Sequence, residues 1–396
     1  MNTINPGMAS IGAMIVSILL SLGLAHVVVG KSAEPVDRAR LQAVDGLRFF
    51  LAIGVIFSHF PAHWAMASSG VWNAGVAPVF KGFGSSAVTV FFMITGFLFY
   101  GKLRRGHGLV DWKSLYVGRF LRLTPLYLIA VAMMFVIVFQ LTGWTVRASL
   151  PQTIVSSVSW LTFTIPGDRA VNGYQNAQYV LAGAIWTLRF EWLFYAALPL
   201  GALLVRRLED HHKWLIALLV VAAIGIAVMP DVGLNWFRPR RLSPFFFGMI
   251  TYEMTRSQTI TGMLRSPLAS VVVLLALLAS FTLGNEYNAP RFVLMFLVFA
   301  PIACGNSVFG VMCWPATRAL GDASYSIYLL HGIVLTVLLT LLGTGRVATD
   351  TMMVWLWLPV ACVASCALSL VTYRLIELPC MQLLRRPATK TLEVAP

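Results

Sequence analysis

Charged residues are scarce in this chain: 11% of 396 residues, against 58% hydrophobic. A soluble domain carries roughly 25%. So few charges cannot cover a water-facing surface, so most of the exterior must meet lipid. Acidic residues are the scarcest, 15 against 29 Lys and Arg, a net charge of +14. In a soluble protein that excess would suggest nucleic-acid binding. Here the basic residues gather in short loops between apolar runs, as orientation in a membrane demands, and nucleic acid is not an expected partner. The alternating pattern of a membrane barrel is missing, which leaves helices to satisfy the backbone in hydrocarbon. The five cysteines (Cys304, Cys313, Cys362, Cys366, Cys380) show no C-x-x-C spacing. They carry no zinc or disulfide signal and read as small buried hydrophobes. There is no internal repeat, no low-complexity tract and no linker long enough to hold a second soluble domain.

What is present is a series of apolar runs near the ~18 residues that mark a spanning helix. They predict spans at 8–30, 47–66, 84–101, 123–142, 183–204, 214–229, 243–255, 267–284, 292–309, 323–343 and 352–373. The expected fold is an all-α integral membrane protein, a bundle of about 10–11 transmembrane helices. The span 243–255 is short enough to be tilted, broken or re-entrant. The stretch 154–165 is too short to cross and belongs at the interface or over the bundle. Basic residues follow the first span (Lys31, Arg38, Arg40), the third (Lys102, Arg104, Arg105, Lys113, Arg119, Arg122), the fifth (Arg206, Arg207, Lys213) and the last (Arg374, Arg385, Arg386, Lys390). Simple alternation puts these on one side, which predicts an inner (cell) membrane protein with its amino terminus outside and its carboxyl terminus cytoplasmic. Arg238, Arg240 and Arg241 fall on the outer side, as a miscounted loop or a functional cationic patch. The first span reads as a retained anchor, because MNTINPG carries no positive charge and no A-x-A-like site follows. The outer loop 143–182 holds Trp144, Trp160, Tyr174 and Tyr179, suited to an interface belt or a cap over a cavity.

Ionisable groups inside spans are costly and mark pairs or functional sites. Arg48 and His59 are eleven residues apart, three turns plus about 20°, so they share one helix face about 16 Å apart. A desolvated histidine there is a candidate base; the structural alternative is a histidine satisfied by interhelical hydrogen bonds. Arg119 and Arg122 are i, i+3 neighbours able to reach one phosphate, or else a positive-inside anchor, with Pro125 suited to a helix start. Thr187, Glu191 and Tyr195 form a polar stripe at i, i+4, i+8. Glu191 wants a cationic or hydrogen-bonding partner, for which Arg48, His59 and Arg189 are candidates, and a structural ion pair is the competing reading. Tyr325, Tyr328 and His331 form a second track, with Ser324 and Ser326 explained by helix packing and His331 open to a purely structural role.

With these segments in view, the chain resembles the acyltransferase 3 family of membrane acyltransferases, which act on bacterial surface sugars and related compounds. The arginine–ten residues–histidine pattern is met by Arg48 and His59. FFMITGF (91–97), RFLRLTPLY (119–127), WTLRFEWLFY (186–195) and SYSIYLLH (324–331) match further family segments in order, and Glu377 and Pro379 match a late E-x-P. Together they cover residues 41–380. The chain departs from the pattern at Thr89, where many members carry an acidic residue, and at Thr95, where serine is usual. On this resemblance, 1–40 is an extra anchor and cytoplasmic linker, 41–380 the acyltransferase core and 381–396 a cytoplasmic tail.

The resemblance implies a membrane O-acyltransferase that moves an acyl group, acetyl by expectation, from cytoplasmic acyl-CoA to a sugar hydroxyl of a cell-surface or exported glycan. No permanently bound cofactor and no metal is expected; acyl-CoA is a substrate. The bilayer, a glycan or glycolipid acceptor and glycan-assembly proteins are the candidate partners. His59 would be the base, Arg48 or Tyr325 and Tyr328 would stabilise the oxyanion, and Glu191 would hold a partner or stabilise imidazolium. Arg119 and Arg122 would contact the phosphates. Trp186, His331 and Glu377 would line the site. An acyl-histidine intermediate is the mechanistic variant. A proton-coupled transporter or flippase, or a non-enzymatic assembly protein, would also place His, Glu and Arg in helices. The paired halves with broken helices expected of a transporter are not visible in the sequence.

Overall fold

The computed structural model describes residues 7–29, 39–167, 169–230, 237–283, 287–347 and 351–383. Lys31, Arg38, Arg385, Arg386 and Lys390 lie outside them, as do most of the predicted linker and tail. The described helices run in chain order: α1 (Met8–Val29), α2 (Ala39–Ser69), α3 (Pro78–Arg105), α4 (Trp112–Leu141), α5 (Leu150–Leu161), α6 (Ala177–Val180), α7 (Trp186–Arg207), α8 (His212–Val228), α9 (Ser243–Met254), α10 (Gln258–Leu264), α11 (Pro267–Phe281), α12 (Ala289–Ala303), α13 (Pro315–Asp322), α14 (Ser324–Leu335), α15 (Thr344–Val347), α16 (Thr351–Thr372) and α17 (Leu378–Gln382). No strand occurs among the described residues.

Seven helical segments are long and apolar enough to cross a bilayer: Met8–Val28, Gln42–Ser69, Pro78–Arg105, Trp112–Leu141, Trp186–Arg207, Ser324–Leu341 and Met353–Gln382. An eighth is made if α10 and α11, bent by 66°, count as one broken span. The helices α8 and α12 are apolar but shorter. Side chains such as Leu19, Val136, Leu275 and Leu356 are more than half exposed, as lipid-facing positions should be. The protein is a multi-pass, all-helical membrane bundle, with fewer full-length crossings among the described residues than the eleven read from hydropathy.

One shortfall has a plain local cause. The run 292–309 stops being helical at Ala303, where Pro301 precedes a turn with Gly305 at φ +103°. The run 243–255 is helical for only twelve residues, Ser243 to Met254. That short helix lies in the heart of the bundle against α3. Gly96 and Gly248 make the crossing close: a Cβ at Gly96 would sit 2.1 Å from the Phe245 carbonyl oxygen, and one at Gly248 would sit 2.0 Å from that of Met93. Small residues let backbones approach where lipid supplies no hydrophobic drive.

Two helix starts differ from expectation. Helix α4 begins at Trp112, where the Asp111 carboxylate accepts from the Ser114 amide at 3.1 Å. Pro125 therefore lies inside the helix rather than at its start, and Arg119 and Arg122 sit two to three turns in. Helix α3 begins at Pro78, six residues before the apolar run, because proline's fixed φ suits the first helical position. Lys81 is thereby drawn onto a membrane helix.

Two of the basic connections share one end of the bundle. The α3–α4 loop meets the α7–α8 loop, where His107 bonds Glu209 and a Cβ on Gly108 would touch the Arg206 side chain. Glu253 knits that end together, with Arg104 Nε at 2.8 Å, Arg256 Nη1 at 3.0 Å and the Tyr100 hydroxyl donating at 2.6 Å. Helix α5 exposes Ile154, Val155, Val158 and Leu161 and buries Ser156, Ser159 and Trp160. It lies over the bundle, as its length predicts.

Candidate functional site

Two cavities open between α2, α3, α7 and α14. One has about 860 Å³ of space, mouth included, and is lined by Arg48, Arg119, Arg122, Glu191, Tyr195 and Tyr325, with Phe91, Thr95, Thr187 and Tyr328 among others. The second, about 850 Å³, is lined by His59, Lys81, Arg241, Trp72, Tyr179 and Trp186, with Ser58, Asn73, Tyr287 and Tyr328. Val88 and Tyr328 belong to both walls. They form the partition. Tyr328 is fixed by its hydroxyl, 3.0 Å from the Ala184 carbonyl oxygen and 2.9 Å from Thr187 Oγ1.

His59 and His331 meet directly, Nδ1 to Nε2 at 2.9 Å, with the rings stacked at 15°. The other nitrogen of His331, Nδ1, lies 2.7 Å from the Tyr328 carbonyl oxygen. A carbonyl only accepts, so His331 Nδ1 carries the proton. Neutral His331 then presents a lone pair at Nε2, and His59 Nδ1 must be the donor to it. His59 Nε2 is left as the unprotonated nitrogen of a ring that lines the second cavity. The Tyr328–His331 bond is local, one turn of α14, whereas the His59–His331 contact is tertiary; Gly332 lets α14 approach the 181–184 turn so closely that a Cβ would lie 2.5 Å from the Ala182 nitrogen.

Arg48 shares a face of α2 with His59, as its spacing predicts, but it opens into the other cavity and pairs at 3.7 Å with Asp45. Arg119 and Arg122 join Arg48 there. The Arg119 guanidinium lies 4.8 Å over the Phe99 ring, and Arg122 Nη1 lies 3.4 Å from Met381 Sδ. Of the partners considered for Glu191, Arg189 turns away to Thr164 Oγ1 (2.7 and 2.9 Å), and His59 is across the partition. The Glu191 carboxylate accepts from the Tyr195 hydroxyl at 2.8 Å among the three arginines. One carboxylate and three guanidinium groups leave a cationic chamber able to hold a polyanion.

Several polar groups are engaged away from the cavity space. The Tyr325 hydroxyl donates to the Leu123 carbonyl at 2.7 Å, so its proton ties α14 to α4. Glu377 lines neither cavity. It is 1% exposed, sits in a π turn following α16, and accepts from Ser326. Its geometry anchors α14 to the carboxyl-terminal helix. Thr89 and Thr95 spend their hydroxyls on their own helix, bonding the Ser85 and Phe91 carbonyls at 2.7 and 3.1 Å.

The sequence reading missed Lys81 and did not assign Arg241. Lys81 was hidden by the unexpected helix start. Arg241 belongs to the basic loop that broke the orientation pattern, and that anomaly was the available signal. Its guanidinium stacks 4.0 Å over Trp186 and 5.1 Å from Tyr287. Burial pushes the Tyr287 phenol up to about 12, with Arg241 and Arg291 pulling the other way, so it stays neutral. In the 143–182 loop, Tyr179 stacks on Trp72 at 4.4 Å and caps the histidine cavity. Trp160 is instead a fully buried core residue, its indole donating to the Arg169 carbonyl.

A helical membrane bundle with a histidine-bearing cavity backed onto a cationic one is the setting in which the comparisons with known proteins fall. The family model described as an acyltransferase domain matches residues 41–374, and the chain belongs to this acyltransferase 3 family. It is a membrane enzyme that transfers acyl groups. The chain is similar to acyltransferase MdmB of Streptomyces mycarofaciens, 27% identical over 88% of this chain and 94% of that protein. It is similar to nodulation protein 10 of Rhizobium leguminosarum bv. viciae, 25% identical over 89% and 96%. It also resembles the O-acetyl transferase of Shigella phage Sf6, 24% identical over 72% and 82%. No solved structure matches.

Proposed function

We propose that the protein transfers an acetyl group from acyl-CoA to a hydroxyl of a sugar in a surface or exported glycan. The donor enters the arginine cavity from the cytoplasm, its phosphates on Arg48, Arg119 and Arg122, with the basic end of the bundle facing inward. The thioester reaches past Thr187 to the Val88–Tyr328 partition. The acceptor occupies the opposite cavity. His59 Nε2 takes the proton of the acceptor hydroxyl as that oxygen attacks the thioester carbon; the new C–O bond forms, the C–S bond breaks, and imidazolium returns the proton to the departing thiolate. His331 fixes the tautomer through its own bond to the Tyr328 carbonyl, the role that an orienting group plays beside a general base. Glu191 moderates the arginine cluster and, with Tyr195, fixes the wall on which the donor lies.

The observation that carries this reading is the proton order along Tyr328, His331 and His59, which leaves a basic nitrogen in one cavity and three guanidinium groups in the next. The test is transfer of label from acetyl-CoA to membrane glycans in vesicles of a deletion strain complemented with wild type, His59→Ala or His59→Gln. Both variants should lose transfer by about 10²- to 10⁴-fold, the range of a general base. Undiminished transfer in either would overturn the assignment. A quench without acceptor separates direct transfer from the covalent variant: label retained on His59 would establish the acyl-histidine.

A further inference from the structure

We infer that the partition between the two cavities selects acyl length, with Val88 and the Tyr328 ring admitting an acetyl group and excluding longer chains. This rests on the O-acyl reading above and adds the residues that set the class of donor. Val88 and Tyr328 are the two described residues that line both cavities, so they bound the opening through which donor and acceptor meet. They are only 6% and 9% exposed, which makes that opening narrow. In the proposed transfer the coenzyme side of the thioester lies in the arginine cavity and the attacking oxygen in the histidine cavity. A nucleophile approaches a carbonyl carbon from above the plane of its three substituents. The acyl chain therefore lies across the opening rather than along the path through it, and it runs into the rim.

Both sides of that rim are stiff. The Tyr328 hydroxyl is held by the Ala184 carbonyl oxygen and Thr187 Oγ1, and its ring meets Phe91 edge-on, with centroids 6.0 Å apart and planes at 73°. Val88 stands inside α3, and a β-branched side chain in a helix has one strongly preferred rotamer. One turn earlier, a Cβ on Gly84 would lie 2.7 Å from Ser58 Oγ. That close approach keeps this stretch of α3 against the turn of α2 that carries His59. Neither side can yield to a longer chain without giving up one of these contacts. A single methylene in an apolar pocket changes discrimination about 10- to 200-fold, enough to separate acetyl from propionyl.

The experiment supplies acetyl-, propionyl- and butyryl-CoA in equal amounts to vesicles of the deletion strain complemented with the full chain. The acyl groups on the membrane glycan are then told apart by mass spectrometry. Under competition the product ratio is the ratio of kcat/KM values within one preparation, so any loss of folded protein cancels. Wild type should favour acetyl over propionyl by about tenfold or more, and over butyryl by a wider margin. Val88→Ala removes two methyl groups from the rim and should narrow the acetyl-to-propionyl ratio about tenfold. Val88→Thr keeps the shape of the side chain and should keep the ratio. Val298→Ala truncates a valine on α12 that is also buried but lines neither cavity, and it too should leave the ratio unchanged. Wild type that uses the longer donors as readily as acetyl-CoA overturns the inference while the O-acyl reading stands, and this outcome needs no variant to fold. A Val88→Ala ratio equal to that of wild type overturns it as well, as does an equal shift in Val88→Thr or Val298→Ala. No acyl group on any glycan from any donor sinks the O-acyl reading and this one with it.

Discussion

Removing the ring that orients the base, rather than the base itself, probes the proposed mechanism most sharply. His331 is fully buried, holds its proton on Nδ1 for the Tyr328 carbonyl, and offers Nε2 to His59. In His331→Leu the His59 Nδ1–H loses its acceptor within a buried wall. An unsatisfied buried donor costs about 1–3 kcal/mol. The ring also becomes free to move its proton to Nε2, where it can no longer accept one from substrate. At about 1.4 kcal/mol per tenfold, the maximal rate should fall roughly 10- to 100-fold. His331→Gln keeps an amide oxygen able to accept from His59 and an NH₂ able to donate to Tyr328, so it should recover most of that loss, to within about fivefold of wild type. The assay is initial-rate transfer of labelled acetyl into membrane acceptor with both substrates saturating. Thermal unfolding of the detergent-solubilised variants is followed in parallel to separate misfolding from misorientation. A Leu variant that folds and turns over like wild type, or a Gln variant as slow as a well-folded Leu variant, would refute the tautomer argument.

Four further outcomes follow from the same geometry. Arg122→Gln should raise the half-saturating acyl-CoA concentration about tenfold while leaving the acceptor's unchanged, because a charge-assisted contact to phosphate contributes roughly 1.5–3 kcal/mol; a two-substrate kinetic matrix reads this. Tyr328→Ala removes most of the partition between the cavities and should increase acyl-CoA hydrolysis without transfer, measured as free thiol released in the absence of acceptor. Gly96→Ala places a methyl 2.1 Å from the Phe245 carbonyl oxygen, and overpacking of that kind costs about 1–3 kcal/mol, which should appear as a lower midpoint of thermal unfolding in detergent. Glu253→Gln strips the counter-charge from Arg104, which is 8% exposed, and breaking a buried pair costs about 3–5 kcal/mol; a midpoint unchanged from wild type would show that the cluster does not hold the basic end together.

The lipid-embedded, all-helical architecture was readable from composition and from the length of the apolar runs, because hydrocarbon leaves the backbone few ways to satisfy its hydrogen bonds. Helical periodicity also placed Tyr328 and His331 on one track and Arg119 beside Arg122, since those pairings are local. Which runs cross in full was not readable: Pro301, Gly305 and the break between α10 and α11 shorten or bend segments whose hydropathy looks continuous. Arg48 and His59 share a helix face, yet only the packing of α3, α7 and α14 around that face assigns them to separate cavities. Lys81 and Arg241, 160 residues apart in the numbering, line one cavity because two distant chain segments fold around it. The proton order on His59 likewise depends on a ring 272 residues away. Local chemistry sets what each side chain can do; tertiary contact decides which nitrogen carries a proton and which charges face each other.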